Sequence, residues 1–188
     1  MDGMFYGCSS IKELNLKNFN TNNITIMNNL FYGCSSLKEL NLDNFNTKKV
    51  TGMADMFNGC SSLTKINISN FNTEKVINMN SIFGECSSLK EINISNFNTN
   101  NVHFMAGMFC GCSSLEELNL NNFNTINVNL MNRMFEGCSS LKKLVINFII
   151  DNQVIMKDMF KGCSNELKEI IKNQYDSIKY EAFFEYIK

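Results

Sequence analysis

The chain of 188 residues has no proline and no tryptophan, one histidine, and a single arginine, Arg133, among its 17 basic residues. No apolar run approaches the ~20 residues that a membrane-spanning helix needs. No charged segment followed by an apolar stretch opens the chain, so no secretory leader is read from it. The formal charge is −1, which argues against the strong field of a nucleic-acid binder or of a protein drawn to anionic lipid. The lone histidine, His103, stands where Thr51, Ile77 and Asn129 stand in equivalent positions, which marks it as a surface residue. No Ser-His-Asp or Cys-His arrangement, phosphate-cradling loop or pair of carboxylates stands out. The expectation is therefore no catalytic residue, no metal and no cofactor. The surplus of Asn, Lys and Ile reads as a coding bias of an AT-rich genome and carries nothing about function.

What the chain does have is a period. Cys8, Cys34, Cys60, Cys86, Cys112 and Cys138 are 26 residues apart, and Cys163 follows after 25. Phe5, Phe31, Phe57, Phe83, Phe109, Phe135 and Phe160 keep the same step. So do Phe19, Phe45, Phe71, Phe97 and Phe123, the column from Ile24 and Val50 to Val154, and the column from Met27 and Met53 to Met156. In the unit that starts at Cys34, Leu37, Leu40 and Leu42 have L-x-x-L-x-L spacing. Residues 39 to 43 alternate, so Leu40 and Leu42 point one way and Glu39, Asn41 and Asp43 the other. An Asn-rich turn, DNFNT, follows. Val50, Met53, Met56, Phe57 and Cys60 then read as one apolar helical stripe, with Thr47 as N-cap and Gly59 as C-terminal cap. Each unit is expected to be strand, turn, short helix, turn.

One such unit cannot bury its own apolar face, but stacked copies can. The expected fold is an α/β leucine-rich-repeat solenoid with a parallel sheet on one side, short helices on the other and right-handed crossovers. About seven coils at ~4.8 Å give a rod on the order of 35 Å long. The coils occupy residues 1–163, with the N-terminal unit incomplete, and the chain reads as a piece of a longer array. Residues 164–188 read as a helical cap of one or two amphipathic helices, with Leu167, Ile170, Ile171, Ile178, Phe183, Phe184 and Ile187 over the last coil. The open N-terminal end makes end-to-end contact between copies a candidate.

The string GCSSLxxLNLxNFNTxxVxxMxxMF resembles the repeat of BspA-like leucine-rich surface proteins, over about residues 1–163. In that family the same frame carries Asp where this chain has Asn, as in LDLSNFDT. The resemblance implies a surface protein or lipoprotein engaged in adhesion. The chain differs in showing no export signal, lipid-attachment site or wall anchor.

The cysteine column has parallel Cα–Cβ vectors, unsuited to disulfides, and lacks the short spacings of metal sites. Buried free thiols are expected. Cys110 is off the column and is the thiol expected to react. The remaining candidate surface is the outward face of the strands. Its first column is Glu13, Glu39, Lys65, Glu91, Glu117 and Lys143. Its second is Asn15, Asn41, Asn67, Asn93 and Asn119, and its third is Lys17, Asp43, Ser69, Ser95 and Asn121. Of these, Glu39, Asn41, Asp43, Lys65, Asn67, Ser69, Glu91, Asn93, Ser95, Glu117, Asn119 and Asn121 form the expected binding face for a protein or glycan ligand. No outward aromatic platform is expected. Asn23, Asn67 and Asn93 lie in N-x-S/T sequons, relevant only to a eukaryotic secretory route.

Overall fold

The computed structural model describes residues 1–150 and 153–183. The 26-residue step of the sequence is the step of the backbone. Hydrogen bonds join residues about 25 apart along the stack, as in Met27 N–H to Gly52 O at 2.9 Å and Phe31 N–H to Met56 O at 2.8 Å. From Met27 to Phe160 every residue of the repeated Cys, Phe, Val and Met columns is buried, while Ile66 and Ile92 in the strand column are half-buried. The Phe5-to-Phe160 column forms a continuous stack of rings, with centroids 5.3–5.9 Å apart and planes within 19° of parallel.

The expected short helices are absent among the described residues. The stretch read as helical is built of β-turns, and its alternate N–H groups leave the coil instead of closing on it. Met53, Asp55, Phe57 and Gly59 donate to the carbonyls of Asn78, Asn80, Ile82 and Gly84 in the next coil. Parallel bridges run unbroken through Ile26, Gly52, Asn78, Phe104, Leu130 and Ile155. Successive turns close within the coil, from Met56 N–H to Met53 O and from Cys60 N–H to Phe57 O. The residues bracketing these turns are the buried ones, which yields spacings of three and four residues without a helix.

Positive φ decides the matter. The third position of the Met53–Met56 turn and its equivalents are Asn29, Asp55, Ser81, Gly107, Arg133 and Asp158, with φ between 48° and 60°. That is left-handed backbone, which no right-handed helix contains. Neither helix cap is one. Gly59 has φ 76° in the Phe57–Cys60 turn. Thr47 is buried, and its Oγ1 donates to Asn72 O at 2.9 Å and accepts from Asn72 N–H at 2.8 Å.

The opposite side is less continuous than expected. β1 (Glu39–Asn41) pairs in parallel with β2 (Lys65–Asn67), and β3 (Glu117–Leu120) with β4 (Lys143–Ile146). The coil between these pairs, around Glu91 to Asn93, has no assigned strand. Nothing in its sequence explains the interruption. The longest ladder of the fold is thus on the side where helices were expected.

Between the two sides, polar groups make their own ladders. Thr21, Thr47, Thr73 and Thr99 each bridge to the backbone N–H and O of one residue in the next coil. Asn44, Asn70, Asn96 and Asn122 direct Nδ2 at turn carbonyls of the preceding coil, as in Asn96 to Phe71 O at 2.8 Å. From Cys34 to Cys163 each column thiol donates to the carbonyl of a phenylalanine in the coil before it, for example Cys60 Sγ to Phe31 O at 3.2 Å and Cys112 Sγ to Phe83 O at 3.1 Å. A hydroxyl, an amide and a thiol at fixed positions thereby satisfy backbone groups that the turns leave inside.

The last coil is followed by α1 (Asn165–Gln174), whose N-cap Ser164 accepts from Leu167 N–H. Leu167 and Ile171 are buried, as are Ile178 and Phe183, while Ile170 is exposed, contrary to its expected place in the cover. Phe184 and Ile187, also expected there, lie outside the described residues. The second segment holds one turn of 3-10 helix, Tyr180–Ala182.

Candidate functional site

Alternation along the strands sorts the expected binding face from the core. Leu40, Leu42, Leu118 and Leu120 are buried, while Glu39, Asn41, Asp43, Lys65, Ser69, Glu91, Asn93, Ser95, Glu117, Asn119 and Asn121 are exposed and Asn67 is half-buried. Parallel register places Glu39 beside Lys65 and Asn41 beside Asn67. It also sets Glu117 beside Lys143, where the two side chains meet at 3.1 Å. Shallow depressions lie on this face. One of about 710 Å³ is walled by Lys12, Glu13, Lys38, Glu39 and Lys65 around Leu14 and Leu40. A smaller one of about 290 Å³ is lined by Ile92, Asn93, Ser95, Asn119 and Asn121.

The asparagine column is less available to a ligand than its exposure implies. In Asn15, Asn41, Asn67, Asn93 and Asn119, Oδ1 accepts from the backbone N–H two residues on. Ser69 and Ser95 also donate their hydroxyls to that oxygen. These are Asx turns that end the strands. Their carbonyl oxygens serve the fold, and the amide NH2 remains as the outward group. In Asn67 and Asn41 even this is engaged, donating to Asn41 Oδ1 at 2.9 Å and to Asp43 Oδ2 at 3.2 Å.

The remaining candidates fall elsewhere. His103 is half-exposed in the bridged ladder and not in a helix. Cys110 is half-buried, with Sγ 4.0 Å from Glu85 Oε1. Burial first, then Glu136 and Glu85, push its thiol upward, so its surroundings disfavour the reactive thiolate expected there. All eight cysteines are free, and burial pushes Cys60 and Cys112 up to about 12. Among the described residues no group of three or more His, Cys, Asp or Glu is placed to hold a metal. No helix among them is long and apolar enough to cross a membrane.

One surface feature escaped the sequence reading. Tyr6 and Tyr32 stack with centroids 4.7 Å apart and planes 5° from parallel, and Tyr6 is 59% exposed. The signal for the pair in the sequence is the 26-residue step between them.

Comparison with known proteins yields a structural likeness and a family. A T. pallidum leucine-rich repeat protein superposes with a TM-score of 0.43 at 19% identity, covering 81% of this chain and 77% of that one. No curated protein matches the chain. The family described as "Mycoplasma protein of unknown function, DUF285" matches residues 1–94 and 64–174, and the chain belongs to that family.

Proposed function

We propose that the stacked coils are a leucine-rich-repeat solenoid over residues 1–163, with a helical cap over 164–188, working as a non-catalytic binding module. Its binding face is the outward side of the strands, and its ligand is a protein or a glycan. The observation that carries the reading is the sorting of that face. Glu39, Lys65, Glu91, Asn93, Glu117 and Asn119 stand out of the coils in columns while their strand neighbours fill the core. Many weak polar contacts repeated along a stack suit an extended ligand. The resemblance of the repeat to that of BspA-like surface proteins supports display at the cell surface and a role in adhesion.

A second reading, an intracellular interaction scaffold of the same fold, is favoured by the column of free, buried thiols. Labelling intact cells with a membrane-impermeant amine reagent separates the two, since Lys12, Lys38, Lys65 and Lys143 are exposed. Labelling of unbroken cells supports surface display. Labelling only after lysis refutes it and directs the search to cytosolic partners. Replacing Glu39, Lys65, Glu117 and Asn119 with Ala tests the face itself. Undiminished attachment of the purified variant to a ligand found on cells would refute that assignment.

A further inference from the structure

The strand face is not uniform along the stack. β1 pairs with β2 and β3 with β4, and the coil around Glu91 to Asn93 between them joins neither ladder. At its centre Ile92 is half-buried, whereas Leu40, Leu118 and Leu144 in the equivalent column are buried. The depression of about 290 Å³ opens here, between this coil and the next. Ile92, Asn93, Ser95, Asn119 and Asn121 are in its lining, and no ionisable side chain is. The larger depression around Leu14 and Leu40, by contrast, is walled by lysines and glutamates.

The asparagine column changes at the same place. Asn41 and Asn67 tie their NH2 groups to Asp43 and Asn41. Asn93 and Asn119 stand one coil apart and commit only Oδ1, each to a strand-end turn. Among the described residues their NH2 groups meet no acceptor. Asn121 is exposed, and its side-chain amide bonds to nothing else among those residues.

Two neighbouring donors, one whole amide, an apolar floor at Ile92 and the lack of charge define the complement. A charged ligand is not selected, because nothing in the lining compensates its desolvation. A peptide backbone brings an N–H with every carbonyl, so adjacent donors leave its N–H groups unmatched. A sugar hydroxyl accepts and donates through one oxygen, as any hydroxyl does. Vicinal hydroxyls meet the two amides, and the C–H face of the ring lies on Ile92. The volume is near the lower limit of small-molecule sites, roughly 300–1,000 Å³, which leaves room for one ring and not for a chain.

We propose that this depression is a subsite for one neutral pyranose unit of a glycan. The proposal rests on the strand face being the binding surface, and it names the ligand chemistry at one place on it. Asn93 and Asn119 donate from Nδ2 to hydroxyl oxygens on adjacent ring carbons, and Asn121 Oδ1 accepts a hydroxyl proton. With so few contacts a single unit binds in the millimolar range, and firm attachment comes from glycans displayed in many copies.

The test is the side-chain amide NMR spectrum of the isotope-labelled chain, titrated with the methyl glycosides of glucose, galactose, mannose and N-acetylglucosamine. Asn93→Asp and Asn119→Asp assign the signals, since each removes one NH2 group and keeps the oxygen that the turn uses. At least one glycoside is expected to move the signals of Asn93, Asn119 and Asn121 together and saturably, leaving those of Asn41 and Asn67 in place. Asn121→Ala removes a side chain that makes no bond within the fold, and should weaken that binding roughly three- to tenfold. The proposal is overturned if no neutral glycoside moves these signals, if Asn41 and Asn67 move equally, or if Asn121→Ala binds as the parent does. A response to sialic acid or to an extended peptide, and to no neutral sugar, overturns it as well. Glu39 and Lys65 lie outside this depression. A ligand found on cells that is lost with Glu39→Ala and Lys65→Ala but held by Asn121→Ala would keep the face as a binding surface and remove the subsite.

Discussion

Ser81→Gly separates the ladder of turns from the helix that the apolar spacing suggests, because the two assign it opposite signs. Ser81 has φ 48°. Its backbone N–H reaches Ala106 O, its carbonyl accepts from Gly84 N–H, and both bonds survive the loss of the side chain. Left-handed backbone costs a non-glycine residue roughly 1–2 kcal/mol. Glycine removes that strain but adds about 0.5–1 kcal/mol of chain entropy to the unfolded state. The net expectation is a gain of about 0.5–1 kcal/mol, or a rise of roughly 1–4 °C in Tm. In a helix interior the same substitution would lower stability by a few tenths to about 1 kcal/mol. The reciprocal substitution, Gly107→Ala, should destabilise, because φ there is 60° and the new Cβ would lie 3.1 Å from Ser81 Oγ. Urea and thermal unfolding of the two variants are sufficient. A fall in midpoint for Ser81→Gly, or a rise for Gly107→Ala, refutes the turn assignment.

Two further expectations concern the interior ladders. Thr73→Val leaves Asn98 N–H and O without Thr73 Oγ1 and should cost about 2–3 kcal/mol, while Thr73→Ser, which keeps both bonds, should cost under about 1; equal urea midpoints for the two would remove the hydroxyl ladder as a source of stability. The thiol column predicts alkaline weakening. Burial raises Cys34 and Cys163 from 9.0 to about 11 and Cys60 and Cys112 to about 12. Above pH 9 the unfolded chain therefore loses protons that the fold still holds. Stability should be full below that value and fall as pH climbs through 11 to 12, each such thiol removing about 1.4 kcal/mol per pH unit over its window. A urea midpoint unchanged from about pH 8 to about pH 11 would contradict this.

The columns of the sequence carried the core because a residue repeated every coil has the same neighbours every coil. Cys34 to Cys163, Phe31 to Phe160 and Met27 to Met156 are accordingly buried without exception, and Phe183 covers the last ring as expected. The side of the coil opposite the strands was misread for a physical reason. Val50, Met53, Met56, Phe57 and Cys60 have spacings that a helix and a chain of β-turns both generate. The deciding signal lay beside them, in the column Asn29, Asp55, Ser81, Gly107, Arg133 and Asp158. Four of these six tolerate left-handed backbone, and a helix interior would select none of those four. The interruption around Glu91 was not readable, since Glu91-Ile92-Asn93 differs from the paired Lys65-Ile66-Asn67 only at its first residue. On the outward face, residue positions were readable and the direction of their hydrogen bonds was not. Whether an exposed Asn offers a ligand its oxygen depends on the turn behind it.

That direction also bears on the repeat of the BspA-like proteins that this sequence resembles. In the frame LDLSNFDT, two of the three positions where this chain has Asn carry Asp, and the one before Phe keeps Asn. Those two correspond here to Asn93 and Asn98, whose Oδ1 atoms accept from Ser95 N–H and Asn100 N–H. A carboxylate accepts equally well. The retained Asn corresponds to Asn96, whose Nδ2 donates to Ile68 O at 3.2 Å and Phe71 O at 2.8 Å. A carboxylate there has no proton to donate and sets negative oxygen against two carbonyls. Asn93→Asp and Asn98→Asp should leave the urea midpoint within about 0.5 kcal/mol of the parent. Asn96→Asp should cost about 2–3 kcal/mol at neutral pH and recover partly in acid, where the protonated carboxyl can donate once. Its folded-state pKa is raised by the two carbonyls, so the penalty should shrink as pH falls through that value. Equal costs for the three substitutions would mean that the amide at position 96 does not bind the coils together and that the frame keeps its asparagine for another reason.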